Sequence, residues 1–121
     1  MKIFMAHSSD FDFKNELYVP LRESELNKKH IIFLPQENGK KIITKEIIKD
    51  MDIIIAEVSY PSTGQGIELG WGDIFNIPII CIYKEDKKYS SSINKLTDKF
   101  IVYKNSEDLI EKLSIFLENH K

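Results

Sequence analysis

The chain has 121 residues, 42% hydrophobic and 30% charged, with a formal net charge of −2. That length carries one domain with a real core but not two, and a near-neutral balance without a basic tract argues against a nucleic-acid partner. Arg22 is the only arginine, which disfavours a site built on bidentate phosphate clamps, and the single cysteine, Cys81, excludes an internal disulfide.

The N-terminus enters Lys2-Ile3-Phe4-Met5-Ala6 directly, with no cationic-then-apolar leader and no apolar span of membrane length. A cytoplasmic protein without a membrane partner is expected. Ile3–Ala6 reads as a first strand, ended by His7-Ser8-Ser9-Asp10. Apolar residues at helical spacing (Phe13, Leu17, Leu21, Leu26) predict a helix over Asp12–Lys28 that Pro20 should kink or split. Ile31–Leu34 is a second strand, and Lys41–Lys49 a short helix with Thr44 or a neighbour as cap. Asp52–Ala56 is a third strand, and a helix over Gly66–Phe75 follows it. Ile77–Tyr83, Phe100–Tyr103 and Ser106–Asn119 supply two more strands and a closing amphipathic helix, and lysine- and serine-rich 84–95 reads as a mobile surface loop. Alternating strands and helices predict an α/β, Rossmann-like three-layer domain spanning residues 1–121, with a mostly parallel five-stranded sheet.

In such sheets ligands bind beyond the carboxyl ends of the strands. Two loops should meet there, His7–Asp12 after the first strand and Val58–Gly66 after the third. They offer His7, Ser8, Asp10, Ser62, Gly64 and Gly66, with Glu68 on the helix that follows. Glycines let backbone N–H groups approach a ligand, and a carboxylate near a helix start is helped to stay ionised by the dipole, as a carboxylate nucleophile needs. No GxxxxGK[ST] or GxGxxG pattern is present, and three scattered histidines do not make a zinc site. Neither a cofactor nor a metal is expected. Glu57, at a strand end, is expected to support structure rather than react. His7 is the one group facing the crevice that titrates near neutral pH.

The segment Ala56-Glu57-Val58-Ser59-Tyr60-Pro61-Ser62-Thr63-Gly64-Gln65-Gly66-Ile67-Glu68-Leu69-Gly70 closely resembles the signature of the nucleoside 2-deoxyribosyltransferase family, which includes the 2'-deoxynucleoside 5'-phosphate N-hydrolases. The resemblance implies a homodimer or larger assembly that acts on the N-glycosidic bond of a nucleoside or nucleotide. It assigns Glu68 as the nucleophile and Ser62 to the sugar or phosphate pocket, and implies that Ser91 or Ser92 is lent by a neighbouring subunit. Three departures stand out. The family's aspartate before the third strand falls at or near Thr44, which cannot act as an acid. Its first-strand tyrosine is Phe4, which keeps the place in the substrate pocket but loses the phenolic hydrogen bond. Finally, the first loop carries Asp10 and Asp12, which would repel a phosphate and favour a nucleoside over a nucleotide.

The physical logic agrees with the resemblance. A carboxylate can trap the sugar of an oxocarbenium-like transition state, and a second acid normally protonates the departing base. With Thr44 in place of that acid, Asp10, Glu46, Asp50, His7 or solvent would have to serve. Two other readings compete. One is a nucleoside or nucleotide sensor that kept the pocket and lost the acid. The other takes Phe4-Met5-Ala6-His7-Ser8-Ser9-Asp10 as similar to the first strand and loop of Toll/interleukin-1-receptor domains, which implies signalling or NAD cleavage.

Overall fold

A computed structural model of the chain describes residues 1–39 and 42–120. Its five strands, β1 (Lys2–His7), β2 (Ile31–Phe33), β3 (Ile53–Glu57), β4 (Ile79–Lys84) and β5 (Phe100–Tyr103), form one sheet in the order β2-β1-β3-β4-β5. Every pairing is parallel, as the alternation predicted. From β1 the chain crosses to β2 on one side and then to β3, β4 and β5 on the other, so the direction of winding reverses between β1 and β3. Crevices form at such a point, and His7 and Glu57 are paired across it.

Parallel strands covered on both faces read as unbroken apolar runs. Ile53, Ile54 and Ile55 show this, each almost fully buried. Odd-numbered residues of β1 and β3 (Ile3, Met5, Ile53, Ile55) face a layer that includes Leu17 and Leu21 and the closing helix residues Leu109, Leu113 and Leu117. Even-numbered ones (Phe4, Ala6, Ile54, Ala56) face Ile48 and Leu69. Three layers result.

The helix expected over Asp12–Lys28 changes its winding beside Pro20 and is split farther on, at Ser24, whose extended backbone separates the two parts. A wide turn over Lys14–Tyr18 leads into α1 (Val19–Glu23), and α2 (Leu26–Lys29) follows separately. Pro20 has no N–H to give to the carbonyl of Glu16 four residues back, and the Ser106 hydroxyl donates to that oxygen instead at 3.0 Å. α3 runs over Lys45–Lys49, shorter than the expected Lys41–Lys49, and Lys41 itself lies outside the described residues. Thr44 occupies the N-cap position of α3 but makes no side-chain cap bond there.

The largest boundary correction concerns α4, which spans Thr63–Ile74 rather than starting at Gly66. Ser62 caps it, accepting from the Gln65 N–H at 3.3 Å. Gln65 is buried and its amide donates to the carbonyls of Ala6 (3.3 Å) and Glu57 (2.5 Å), pinning the helix start to β1 and β3. Farther along, a Cβ at Gly72 would fall 2.3 Å from the Ile54 Cδ1, so any larger residue there requires the buried Ile54 side chain to shift.

The loop expected over 84–95 carries some local order of its own. The Tyr89 ring stacks on Phe100 at 4.5 Å, and Ser91–Lys95 forms a tight 3₁₀ turn. Aromatic burial offsets the polar composition. The closing helix α5 occupies Ser106–Asn119 as predicted, capped by Asn105. No described helix is long and apolar enough to cross a membrane.

Candidate active site

A cavity of about 550 Å³ opens at the carboxyl edge of the sheet beside β1, within the range of small-molecule sites. His7 from the end of β1, Phe13 and Lys14 from the following turn, Gln36 after β2, and Thr44 and Glu68 contribute to its wall. Glu68 is half-buried on the second turn of α4. The Thr44 hydroxyl donates to its Oε2 at 2.7 Å. Burial pushes the Glu68 carboxyl above the ordinary glutamate range, and the Thr44 hydrogen bond pulls part of the way back. The expected help from the helix dipole is corrected here. With α4 beginning at Thr63, Glu68 lies beyond the first turn, where that effect fades.

His7 is buried and held at both nitrogens. Its Nδ1 lies 2.8 Å from the Ser8 carbonyl and its Nε2 2.6 Å from the Tyr18 hydroxyl. Since a carbonyl only accepts, Nδ1 carries the proton and Nε2 accepts from Tyr18. The Tyr18 oxygen in turn accepts the Gln36 N–H at 3.0 Å. Burial lowers the His7 pKa and raises that of Tyr18 to about 12, so both are neutral near pH 7. The Phe13 ring lies 4.6 Å from the imidazole. The pair stiffens the cavity floor; it does not present a ready acid.

The other expected site residues separate into three places. Phe4 is fully buried, stacked on Phe33 at 5.6 Å, and belongs to the core beneath the cavity rather than to its wall. Ser8 is buried and its Oγ accepts the Asp10 N–H at 3.0 Å, closing a turn that leaves Asp10 exposed. Ser62, Gly66 and Ser92 do come together, with Ser90, around a second recess of about 360 Å³ at the start of α4. Gly64 and Ser91 are exposed and outside that lining. Gly64 and Gly66 are helical, with no positive φ, so the flexible glycine loop expected there is instead a capped helix start.

Ser9, offered by the first loop together with Ser8, does line the cavity, whereas residue type alone does not single out Tyr18, Gln36 or Phe13 as site residues. Gln36 had a usable signal, since it follows a strand end. Tyr18 did not, because a buried tyrosine in an amphipathic helix looks like core. Asp12 binds the Asn15 side chain at 2.9 Å and is exposed, and Glu46 and Asp50 are exposed on or just after α3. None of these three lines the cavity.

A second acid, Glu57, is fully buried on the far side of β3. The Ser59 N–H donates to it at 2.6 Å and the Tyr103 hydroxyl donates to its other oxygen. Burial raises its pKa, against the pull of these donors. It has no free face toward the cavity.

No family model matches the sequence. Two curated proteins carrying the provisional name 2'-deoxynucleoside 5'-phosphate N-hydrolase 1 do match. The one from Syntrophotalea carbinolica is 44% identical over 36 residues, 30% of this chain and 25% of that protein. That from Thermofilum pendens is 29% identical over 76 residues, 59% of this chain and 53% of that protein. The matches thus span a quarter and about half of these relatives' lengths. Among solved structures, a CMP N-glycosidase from Clostridium botulinum superposes with a TM-score of 0.66 at 24% identity, covering 94% of this chain and 99% of that one. A 2-deoxyribosyltransferase from Bacillus psychrosaccharolyticus gives 0.67 at 18% identity, covering 91% and 90%. The Leishmania mexicana enzyme of the same name gives 0.67 at 17% identity and 99% coverage of both chains. The chain thus has the fold of the nucleoside 2-deoxyribosyltransferase family, and its resemblance to that family rests on matched sequence as well as on architecture.

Proposed function

We propose that the chain is an enzyme acting on the N-glycosidic bond of a (2-deoxy)nucleoside or its 5'-phosphate, with Glu68 as nucleophile and water or a second base as sugar acceptor. One observation carries this reading: Glu68 is a desolvated carboxylate on the wall of a nucleoside-sized cavity, aimed by the Thr44 hydroxyl. Thr44 holds Oε2, which leaves Oε1 to approach the anomeric carbon, and the partly dry wall strengthens the attraction between carboxylate and oxocarbenium charge. The names of the relatives support the substrate class. Asp10 and Asp12 are exposed and outside the lining, which weakens the repulsion expected against a phosphate and keeps a 5'-phosphate in the proposed substrate class beside the nucleoside.

The working unit in this reading is a homodimer or a multiple of it. Ile67 and Ile74, one helical face of α4, are 49% and 74% exposed, with half-buried Trp71 between them. The buried, free Cys81 suits a reducing compartment such as the cytoplasm. Sedimentation at micromolar concentration tests the assembly, and a fully active monomer would remove it.

Incubation with nucleosides, their 5'-monophosphates and NAD, with and without an acceptor base, tests the activity through released or exchanged base. Release from at least one deoxynucleoside or deoxynucleotide is expected. Tight binding without cleavage of any of them would favour the sensor reading, which the hydroxyl at Thr44 supports.

A further inference from the structure

A base that departs from a neutral nucleoside takes the bonding pair with it and needs a proton. Among the described residues that line the cavity, Glu68 is the one carboxyl group, and residues 40 and 41, outside the description, are lysines by sequence. Glu68 cannot attack the sugar as a carboxylate and protonate the base at the same time. Thr44 spends its proton on Glu68, and a hydroxyl is in any case far too weak an acid. His7 is buried and neutral, its one N–H given to the Ser8 carbonyl and its other nitrogen occupied by Tyr18. Asp10, Asp12, Glu46 and Asp50, the acids that sequence offered, are all exposed and off the wall. Lys14 stands at the exposed rim, where solvent screens its charge.

What the wall does present suits a positive charge: the Glu68 carboxylate and the Phe13 ring, the latter half-buried. From this juxtaposition we infer that the site is built for glycosides whose base is already cationic and leaves neutral, namely pyridinium and N7-alkylated purine nucleosides or their 5'-phosphates. The inference rests on the reading of Glu68 as nucleophile. A Glu68 oxygen bonds to C1' as the C1'–N bond breaks. The released pair stays on the ring nitrogen and cancels its positive charge, so the base departs without a proton. Water then adds to C1', the ester bond to Glu68 breaks to restore the carboxylate, and one proton goes to solvent.

The test compares 7-methyl-2'-deoxyguanosine with 2'-deoxyguanosine, and nicotinamide riboside with inosine, each as acceleration over its own spontaneous hydrolysis. A positioned acid typically contributes about 10²–10⁴-fold, and only to the neutral member of each pair. The site described here accelerates both members by the same factor within about tenfold, and so turns over the cationic member far faster in absolute rate. The pH profile of kcat/KM for nicotinamide riboside, whose pyridinium ring does not titrate, rises to a plateau instead of forming a bell, because one ionisation governs it. An acceleration of the neutral members about 10²-fold or more above the cationic ones, lost in Glu68→Gln, would overturn the inference and leave the nucleophile standing. Failure of every member, with wild type and Glu68→Gln alike, would remove the nucleophile and this inference with it.

Discussion

Glu57 and Glu68 lie eleven residues apart, both desolvated, both with carboxyl groups held above the ordinary glutamate range, yet they are built for opposite purposes. Glu57 is 0% exposed, and donors from Ser59 and Tyr103 take up its two oxygens. Among the described residues Glu68 has one donor, Thr44, and it faces a cavity. A raised pKa therefore does not separate a reactive acid from a structural one; unfilled hydrogen-bonding capacity beside open volume does. Glu57 ties β3 to β5 and fixes the turn at Ser59, whose hydroxyl also accepts the Lys84 N–H at 2.8 Å. Together with Gln65, it fixes where α4 starts and thereby where Glu68 points.

The comparison breaks most sharply at Glu68. Glu68→Gln should cut turnover on the order of a thousandfold or more, because the amide keeps the shape and loses the nucleophilic charge. Its stability at neutral pH should match or exceed that of the wild type, since no desolvated charge remains. Thermal unfolding checks this half of the contrast.

Glu57→Ala should do the reverse. Two buried donors lose their acceptor, at roughly 1–3 kcal/mol each, which lowers Tm on the order of 10 °C. Activity per folded molecule should fall much less than in Glu68→Gln. Parallel loss of turnover and stability in both variants would erase the distinction.

The pH dependence of stability sharpens it further. Both carboxyls bind their protons more tightly in the folded state than in the unfolded chain. Their contribution is complete below the usual glutamate range and is lost as pH rises through the elevated folded values. Their share of the stability should therefore decline on going from acidic toward neutral pH, and the double variant Glu57→Gln/Glu68→Gln should shift the slope toward stability that rises with pH. Urea unfolding across the range measures it.

Smaller effects follow. Thr44→Val removes the Thr44 donor to Glu68, which should raise its pKa further, displace the rising limb of the rate profile to higher pH and cost about tenfold in kcat. Gly72→Ala should cost about 1–3 kcal/mol by forcing its Cβ against the buried Ile54, with the catalytic profile unchanged in the folded protein.

Most of the fold was legible because its signals are local. Apolar runs mark the strands, Pro20 marks the change of winding in the first helix but not its break at Ser24, and the strand-end rule points to His7 and the Glu68 helix. The start of α4 was misplaced because Gly64 and Gly66 read as loop residues; a Ser62 cap and the Gln65 anchors outweigh their poor helix propensity. Residue type makes Thr44 a cap and the resemblance puts it where the family has an acid; it stands at the N-cap position, but its hydroxyl reaches Glu68 twenty-four residues away. Tyr103 meets Glu57 across forty-six. Pairings of that separation depend on tertiary packing, which spacing in one sequence does not encode. Tyr89 shows the same limit, since only the fold reveals that it anchors a loop whose composition looks mobile.

The central claim is that Glu68 forms a covalent bond to the sugar. Acid quench of the enzyme during turnover of a deoxynucleoside 5'-phosphate, followed by intact mass and peptide mapping, reads it directly. The account predicts a deoxyribosyl phosphate adduct on the peptide containing Glu68, absent from Glu68→Gln. An adduct on another residue, or wild-type turnover by Glu68→Gln, would contradict it.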